Sequence, residues 1–372
     1  MMAAAIVCVA LLLLLLPVHA ASVWPPPQEL VLTGAPIALA LDFAAMPAAV
    51  PNGNANANAS PRLHRAIKRF NARMAMLLST AAAARSDTGV PLTPPALRWL
   101  HVAVAGDASE VLGSRTDDSY SLRVDGARGE ARVTAPTVYG AMYGLETFAQ
   151  LVDAERGEFV ATSVVVSDAP DHPWRGLLVD SGRRFAPLAL LFNIIDTMAA
   201  VKLNVLHLHV SDFCRFGVES KLYPNLTAGA GSSSEVPHSS TSVGSPGFYS
   251  QDDIRALVAY GADHGVRIVP EFEMPGHALG FAPIATPGGL EFCDTCAYGP
   301  TGNGTHLTCK PSQLWGSEGT AKVLKEILGE MAALFADDVF HIGADETFVK
   351  AAPGERCQPN TTARLERQIV EA

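Results

Sequence analysis

The spacing of apolar residues changes character partway along the chain. In the first part it is mixed. "RLHRAIKRFNARMAML" (62–77) sets Leu63, Ile67, Phe70 and Met74 on one helical face, and "PTVYGAMYGLETFAQLV" (136–152) repeats that period. "LRWLHVAVAG" (97–106) and "YSLRVDG" (120–126) alternate as half-buried strands do. "NGNANANAS" (52–60) is a polar low-complexity loop. Together these predict one small α/β domain over 21–170, closed by the turn-rich "SDAPDHPW" (167–174). It holds no Asp, Glu, His or Cys cluster with metal or nucleophile spacing, so its role is a supporting one.

Beyond that boundary short continuous apolar runs alternate with amphipathic stretches. The runs are "RGLLVD" (175–180), "LNVLHLHVSD" (203–212), "VRIVPEFE" (266–273) and "DVFHIGADE" (338–346). Helical spacing follows each, over 187–202, over 250–265 behind a Ser250 cap, over 319–335 and from 361 onward. Strands that are apolar on both faces and separated by helices mean βα units and a parallel sheet. Polar residues gather at the carboxyl ends: Asp180; His207, His209 and Asp212; Glu271, Glu273 and His277; Asp345 and Glu346. That is where parallel α/β folds keep their chemistry, and four such ends in succession fit a barrel mouth. The predicted class is therefore α/β: an N-terminal α/β domain, then over 171–372 about the first four units of a (β/α)8 TIM-type barrel. Such a half-barrel leaves its first and fourth strands without neighbours on one side.

Residues 1–20 carry an apolar run, Ile6 to Leu16, and then Pro17-Val18-His19-Ala20, the pattern of a signal peptide that leaves a mature chain from about Ala21 and no stable membrane anchor. The secretory pathway follows, ending in the cell wall or exterior or in the vacuole. Asn58, Asn225, Asn303 and Asn360 each begin a glycosylation sequon, in keeping with that route. Of six cysteines, Cys8 leaves with the signal. Cys293 or Cys296 is expected in a disulfide, with Cys309 and Cys357 as candidate partners. Net charge is −10 with the acidic residues unclustered, which argues against nucleic acid as a partner.

Two chemistries can use the strand-end residues. His207 and His209 share one face of a strand, and with His277 or Asp345 they could surround a divalent metal. Alternatively Asp345 and Glu346 act as a pair. Neighbours on a strand point to opposite sides, so both can face a pocket only where the strand breaks, and Gly343 makes a break easy. One carboxylate then raises its neighbour's pKa, which leaves Glu346 protonated enough to act as a general acid. Adjacent carboxylates are badly placed to flank a glycosidic bond from both sides, so on a sugar the nucleophile would be the substrate's own.

"HIGADE" resembles the His-x-Gly-Gly-Asp-Glu signature of glycoside hydrolase family 20, the β-N-acetylhexosaminidases. "WRGLLVDSGRRF", "KLNVLHLHVSD" and "VRIVPEFEMPGHALG" resemble that family's first three barrel strands in order, and "VWPPPQELVL" with "TVYGAMYGLETFAQLV" both ends of its N-terminal domain. "LHLHVSDFCRF" is similar to a plant branch. The resemblance implies release of terminal N-acetylglucosamine or N-acetylgalactosamine from an N-glycan or chitin oligosaccharide, with no cofactor and no metal, and it is compatible with a homodimer of the full-length protein. It makes Glu346 the general acid and base and Asp345 the holder of the 2-acetamido group. Arg175 would bind sugar hydroxyls at the pocket floor, Asp212 and His277 would line the pocket, and Glu273 and His209 would support it. The chain departs from the pattern at Ala344, where the signature has its second Gly, at Glu273, often Asp, and at Leu208, usually Trp. The family's later barrel half, with a tyrosine and tryptophans that wall the sugar, is not in this sequence, so a catalytically silent relative stands beside the enzyme as an expectation.

Overall fold

The computed structural model describes residues 23–48, 60–86, 97–106, 110–213, 215–227, 247–293, 298–301, 304–307, 313–345 and 359–370. The predicted signal peptide, Asn58, Asn303, Glu346, Cys214, Cys296, Cys309 and Cys357 lie outside the described residues. Two compact units divide the chain, Met1–Glu110 with Asp117–Asp171, and Val111–Thr116 with His172–Ala372.

The first unit contains β1 (Glu29–Thr33), β2 (Ile37–Pro47), α1 (Pro61–Ser86), β3 (Leu97–Val104), β4 (Tyr120–Asp125), β5 (Glu130–Ala135), α2 (Val138–Gln150), β6 (Val152–Asp153), β7 (Glu158–Phe159) and β8 (Ser163–Asp168). Its strands form one mixed sheet in the order β1-β8-β4-β5-β3-β2-β7-β6. Both predicted helices are present, but α1 runs nine residues past 77, because Leu78 and Ala81 keep its buried stripe going. Pro61 starts that helix, where a missing N–H costs nothing, and Ser60 Oγ accepts the Leu63 N–H at 3.1 Å. Phe148 stacks between Phe43 and Phe159 and meets Phe70 edge-on in the buried core.

The second unit contains β9 (Gly176–Asp180), α3 (Leu188–Ala200), β10 (Val205–Asp212), β11 (Arg215–Phe216), α4 (Gln251–Asp263), β12 (Arg267–Phe272), α5 (Glu318–Ala332) and α6 (Pro359–Val370). β9 and β12 flank β10, both parallel to it. Each predicted helix is present, and Ser250 forms a full capping box with Asp253 at the head of α4. Leu206, Leu208 and Val210 point outward from β10 into a core shared with Leu191, Ile195, Ile254 and Leu257 of the helices. His207 and His209, of opposite parity, point inward.

The expected fourth strand is shorter than its sequence suggests. Only His341 bridges to β12, opposite Glu271, with the His341 N–H donating to Pro270 O and the Phe272 and Met274 N–H groups donating to His341 O and Ile342 O. Gly343 and Ala344 then take φ of +69° and +75°, which ends any strand. At the other edge β9 lacks a second neighbour among the described residues, and Leu177 and Leu178 are 41% and 53% exposed.

Candidate active site

The parallel register brings the strand-end residues together. His209 of β10 sits opposite Glu271 of β12, and Glu271 opposite His341. Register partners in adjacent strands face the same side, so all three converge on the inner face. A bulge in β10 between His209 and Ser211 then alters the alternation. Without it His209 and Asp212, three residues apart, would face opposite ways; with it Asp212 turns to the same side.

Glu271 is the hub. Its Oε2 lies 2.7 Å from His207 Nε2 and 2.9 Å from His209 Nδ1, and its Oε1 lies 3.2 Å from His341 Nδ1. The other nitrogen of His209 is 3.0 Å from Asp212 Oδ2. A buried imidazole with a carboxylate at each end is best satisfied as the imidazolium, which donates to both. Burial pushes the His209 pKa down, but the hydrogen bonds to Asp212 and Glu271 outweigh it and raise the value to about 10. Burial likewise opposes ionisation of Glu271, and the bonds from His207 and His209 overcome it, holding this carboxyl well below the usual range. Asp212 behaves the same way. Against burial, His209, the Phe213 N–H and Arg183 keep it ionised.

Glu273 is different. It is 3% exposed and has one described donor, the Ala344 N–H, 3.0 Å from Oε1. Burial dominates, with Asp345 and Glu271 adding like-charge repulsion, and its pKa rises to about 7. Beyond the bulge, His277 Nδ1 stands 3.6 Å from Asp212 Oδ1. Gly280 allows this loop to close, since a Cβ there would overlap the Arg215 backbone and press on the Asp212 carbonyl.

Five of the seven predicted catalytic, substrate-binding and supporting residues are thus gathered at the carboxyl ends of the strands: Asp212, His277, His209, Glu273 and Asp345. Arg175 is not among them. It precedes β9 at the amino end, where Nε and Nη1 donate to Lys202 O and His172 O, each at 2.8 Å, and its N–H donates to Asn204 Oδ1 at 2.9 Å. Glu346 lies outside the described residues. Of the remaining sequons, Asn225 falls in the 3₁₀ turn Pro224–Thr227 and Asn360 in the first turn of α6. Cys293 is disulfide-bonded.

Four participants were given no place among the predicted sugar-site residues: Glu271, His207, Arg183 and His341, the last reaching both Glu271 and the Gly343 N–H. Glu271 and His207 were visible as strand-end polar residues, and the parallel pairing of the two runs was the signal that would have made Glu271 central. Arg183 was missed. It spans Asp180 at 2.8 Å and Asp212 at 3.0 Å, and its three-residue spacing from Asp180 at a strand end was the clue. Metal ligation has its own geometry to consider. His207, Glu271 and His341, and separately His209, Glu271 and Glu273, each offer ligand atoms within 4.8 Å of one another. The two sets compete for Glu271, whose Oε2 is already within hydrogen-bond distance of His207 and His209.

Comparison with known proteins places this arrangement. The family described as "Glycosyl hydrolase family 20, catalytic domain" matches residues 172–366, and "beta-acetyl hexosaminidase like" matches 23–151. The chain belongs to glycosyl hydrolase family 20. Among family relatives, Beta-hexosaminidase subunit A1 of Dictyostelium discoideum is 36% identical over 250 residues, which cover 66% of this chain and 42% of that protein. Beta-hexosaminidase 3 of Arabidopsis thaliana is 33% identical over 256 residues, 67% of this chain and 43% of that one. The chain thus spans less than half the length of these relatives. A solved family 20 β-N-acetylglucosaminidase superposes with a TM-score of 0.61 at 26% identity, over 94% of this chain and 64% of that one. A mutant Streptomyces plicatus β-hexosaminidase solved with its product GlcNAc shares the fold, with a TM-score of 0.63 at 22% identity over 94% of this chain and 63% of that one. The second unit is accordingly the first half of a family 20 barrel.

Proposed function

We propose that the protein carrying this chain is a retaining β-N-acetylhexosaminidase that removes terminal N-acetylglucosamine or N-acetylgalactosamine from N-glycans or chitin oligosaccharides. The nucleophile is the substrate's own 2-acetamido carbonyl. Asp345 accepts from the acetamido N–H and stabilises positive charge on the oxazolinium ring as it forms. Glu346 protonates the leaving oxygen and then takes a proton from the attacking water. His277, Asp212 and the His209 imidazolium form the polar wall on the β10 side. The observation that carries this reading is the place of Asp345, the first residue after a left-handed turn at the carboxyl end of the sheet, close enough to Glu273 to raise its pKa. The leader-like residues 1–20 and the four sequons support a secretory route to the vacuole, the cell wall or the exterior.

The test is turnover of N-acetylglucosaminide and N-acetylgalactosaminide substrates by the purified full-length protein, with and without a chelator. Hydrolysis unaffected by the chelator is expected. Activity that is lost with the chelator and restored by zinc would favour a metallohydrolase built on the histidine and Glu271 sets. No hydrolysis of either substrate would leave a catalytically silent relative.

A further inference from the structure

Two left-handed residues in succession lead into Asp345. Gly343 takes this region freely, but Ala344, at φ +75°, carries a Cβ that crowds its own backbone there. Such a conformation persists where its surroundings hold it. The described hold comes from two side chains. The Gly343 N–H donates to His341 Nδ1 at 2.9 Å, and the Ala344 N–H donates to Glu273 Oε1 at 3.0 Å. Glu273 also fills the space beneath the turn so closely that a Cβ on Gly343 would overlap its carboxylate. It can serve as a fixed point because it is buried and its own N–H donates to Ser211 Oγ at 3.0 Å.

We infer that Glu273 is a positioning residue for Asp345: by taking the Ala344 N–H it holds the left-handed turn that aims the aspartate. The inference rests on the hexosaminidase reading, in which that aim decides whether the acetamido group is oriented for attack. Residues 273 and 344 form one device. A side chain one methylene shorter at 273 withdraws the acceptor and opens space under Gly343. A glycine at 344 removes the backbone strain that the contact offsets. Glu273→Asp and Ala344→Gly therefore compensate for one another.

The experiment is a double-mutant cycle on the full-length protein, read by thermal unfolding and by steady-state kinetics on an N-acetylglucosaminide. Glu273→Asp alone is expected to lower the unfolding midpoint by about 2–4 °C. It should lower kcat by about tenfold while KM moves less than about twofold, as a small misplacement of an orienting group would. Adding Ala344→Gly should restore kcat to within about threefold of the parent and recover most of the midpoint. Additive midpoints with no recovery of kcat overturn the inference. So do coupled midpoints without recovery of kcat, which would mark a purely structural contact. If the parent has no hexosaminidase turnover, the functional reading fails, and the unfolding cycle alone decides whether Glu273 holds the turn: coupling supports it and additivity overturns it.

Discussion

The two sheets bury themselves in different ways, and the chemistry follows the difference. In β4 of the first sheet Tyr120, Leu122 and Val124 are buried while Arg123 is exposed, the alternation of a sheet with one face on a core. In β12 of the second all six residues are buried. A strand buried along both faces holds charge best where it ends, and at the ends of β10 and β12 Glu271, Asp212 and His209 are dry enough for each to fix the protonation state of the next. The alternating sheet can spread Arg123 and its neighbours over a wet surface at little cost, where they do nothing so specific.

The largest test of that contrast is catalytic. In the full-length protein Glu346→Gln is expected to lower turnover by roughly 10²–10⁴-fold on substrates with poor leaving groups, and by less on an activated phenyl glycoside. Arg123→Gln on the open face of the first sheet should leave both rates within about twofold of the parent, as surface substitutions do. Comparable losses from the two would end the division of labour between the sheets.

A second test separates strands within the second sheet. Leu206→Ala, at a fully buried position of β10, is expected to cost about 2–5 kcal/mol in denaturant unfolding of this chain. Leu178→Ala, on the half-exposed β9 edge, should cost less than about 1 kcal/mol. The gap should narrow in the full-length protein if further strands cover β9, and equal costs in the present chain would mean that β9 is already covered.

The smallest effect is a difference in pH dependence. His209, raised to about 10 from an ordinary 6.5, contributes stability that is complete below 6.5 and is lost as pH rises through 10. Glu273, raised to about 7 from 4.5, binds its proton more tightly when folded, so the second unit also loses stability as pH rises between those values. Glu271 and Asp212, both held low, act oppositely and withdraw their contribution only as the medium becomes strongly acidic. Among the described residues of the first unit the shifted groups are Glu110, lowered despite its burial by its bonds from Ser60 and Arg62, and Tyr120, raised by burial. Both windows fall outside the neutral range. Peptide-resolved hydrogen exchange should therefore show protection over 205–212 and 267–272 declining from about pH 5 to about 9 while 97–104 and 120–135 hold steady. Parallel decline in both would break the comparison.

The same difference decided what could be read from the sequence. Runs such as "VRIVPEFE" are legible because burial on both faces leaves no polar interruption, and the helices between them follow from period and caps. In the first unit β2, "IALALDFAAMP", is rich in alanine, a poor strand former, and was not anticipated although it pairs with two other strands. At the site, residue types at strand ends pointed to His209, Asp212, Glu273 and His277. Which carboxylate would be the hub depended on register between strands, which no single run encodes. The fourth strand was overread: Gly343 marks where it can break, but apolar spacing carries no warning that pairing is confined to His341 or that Ala344 shares a glycine's conformation.

His341 Nδ1 has a single lone pair and two claimants. While the Gly343 N–H donates to it, that nitrogen carries no proton, the ring proton must sit on Nε2, and nothing is left with which to bind Glu271 Oε1, 3.2 Å away. The tautomer with its proton on Nδ1 would instead give Glu271 Oε1 another donor and strip Gly343 of its acceptor. The two bonds exclude each other, so the orientation of the turn before Asp345 and the bookkeeping of charge around Glu271 are settled by the tautomer of one ring.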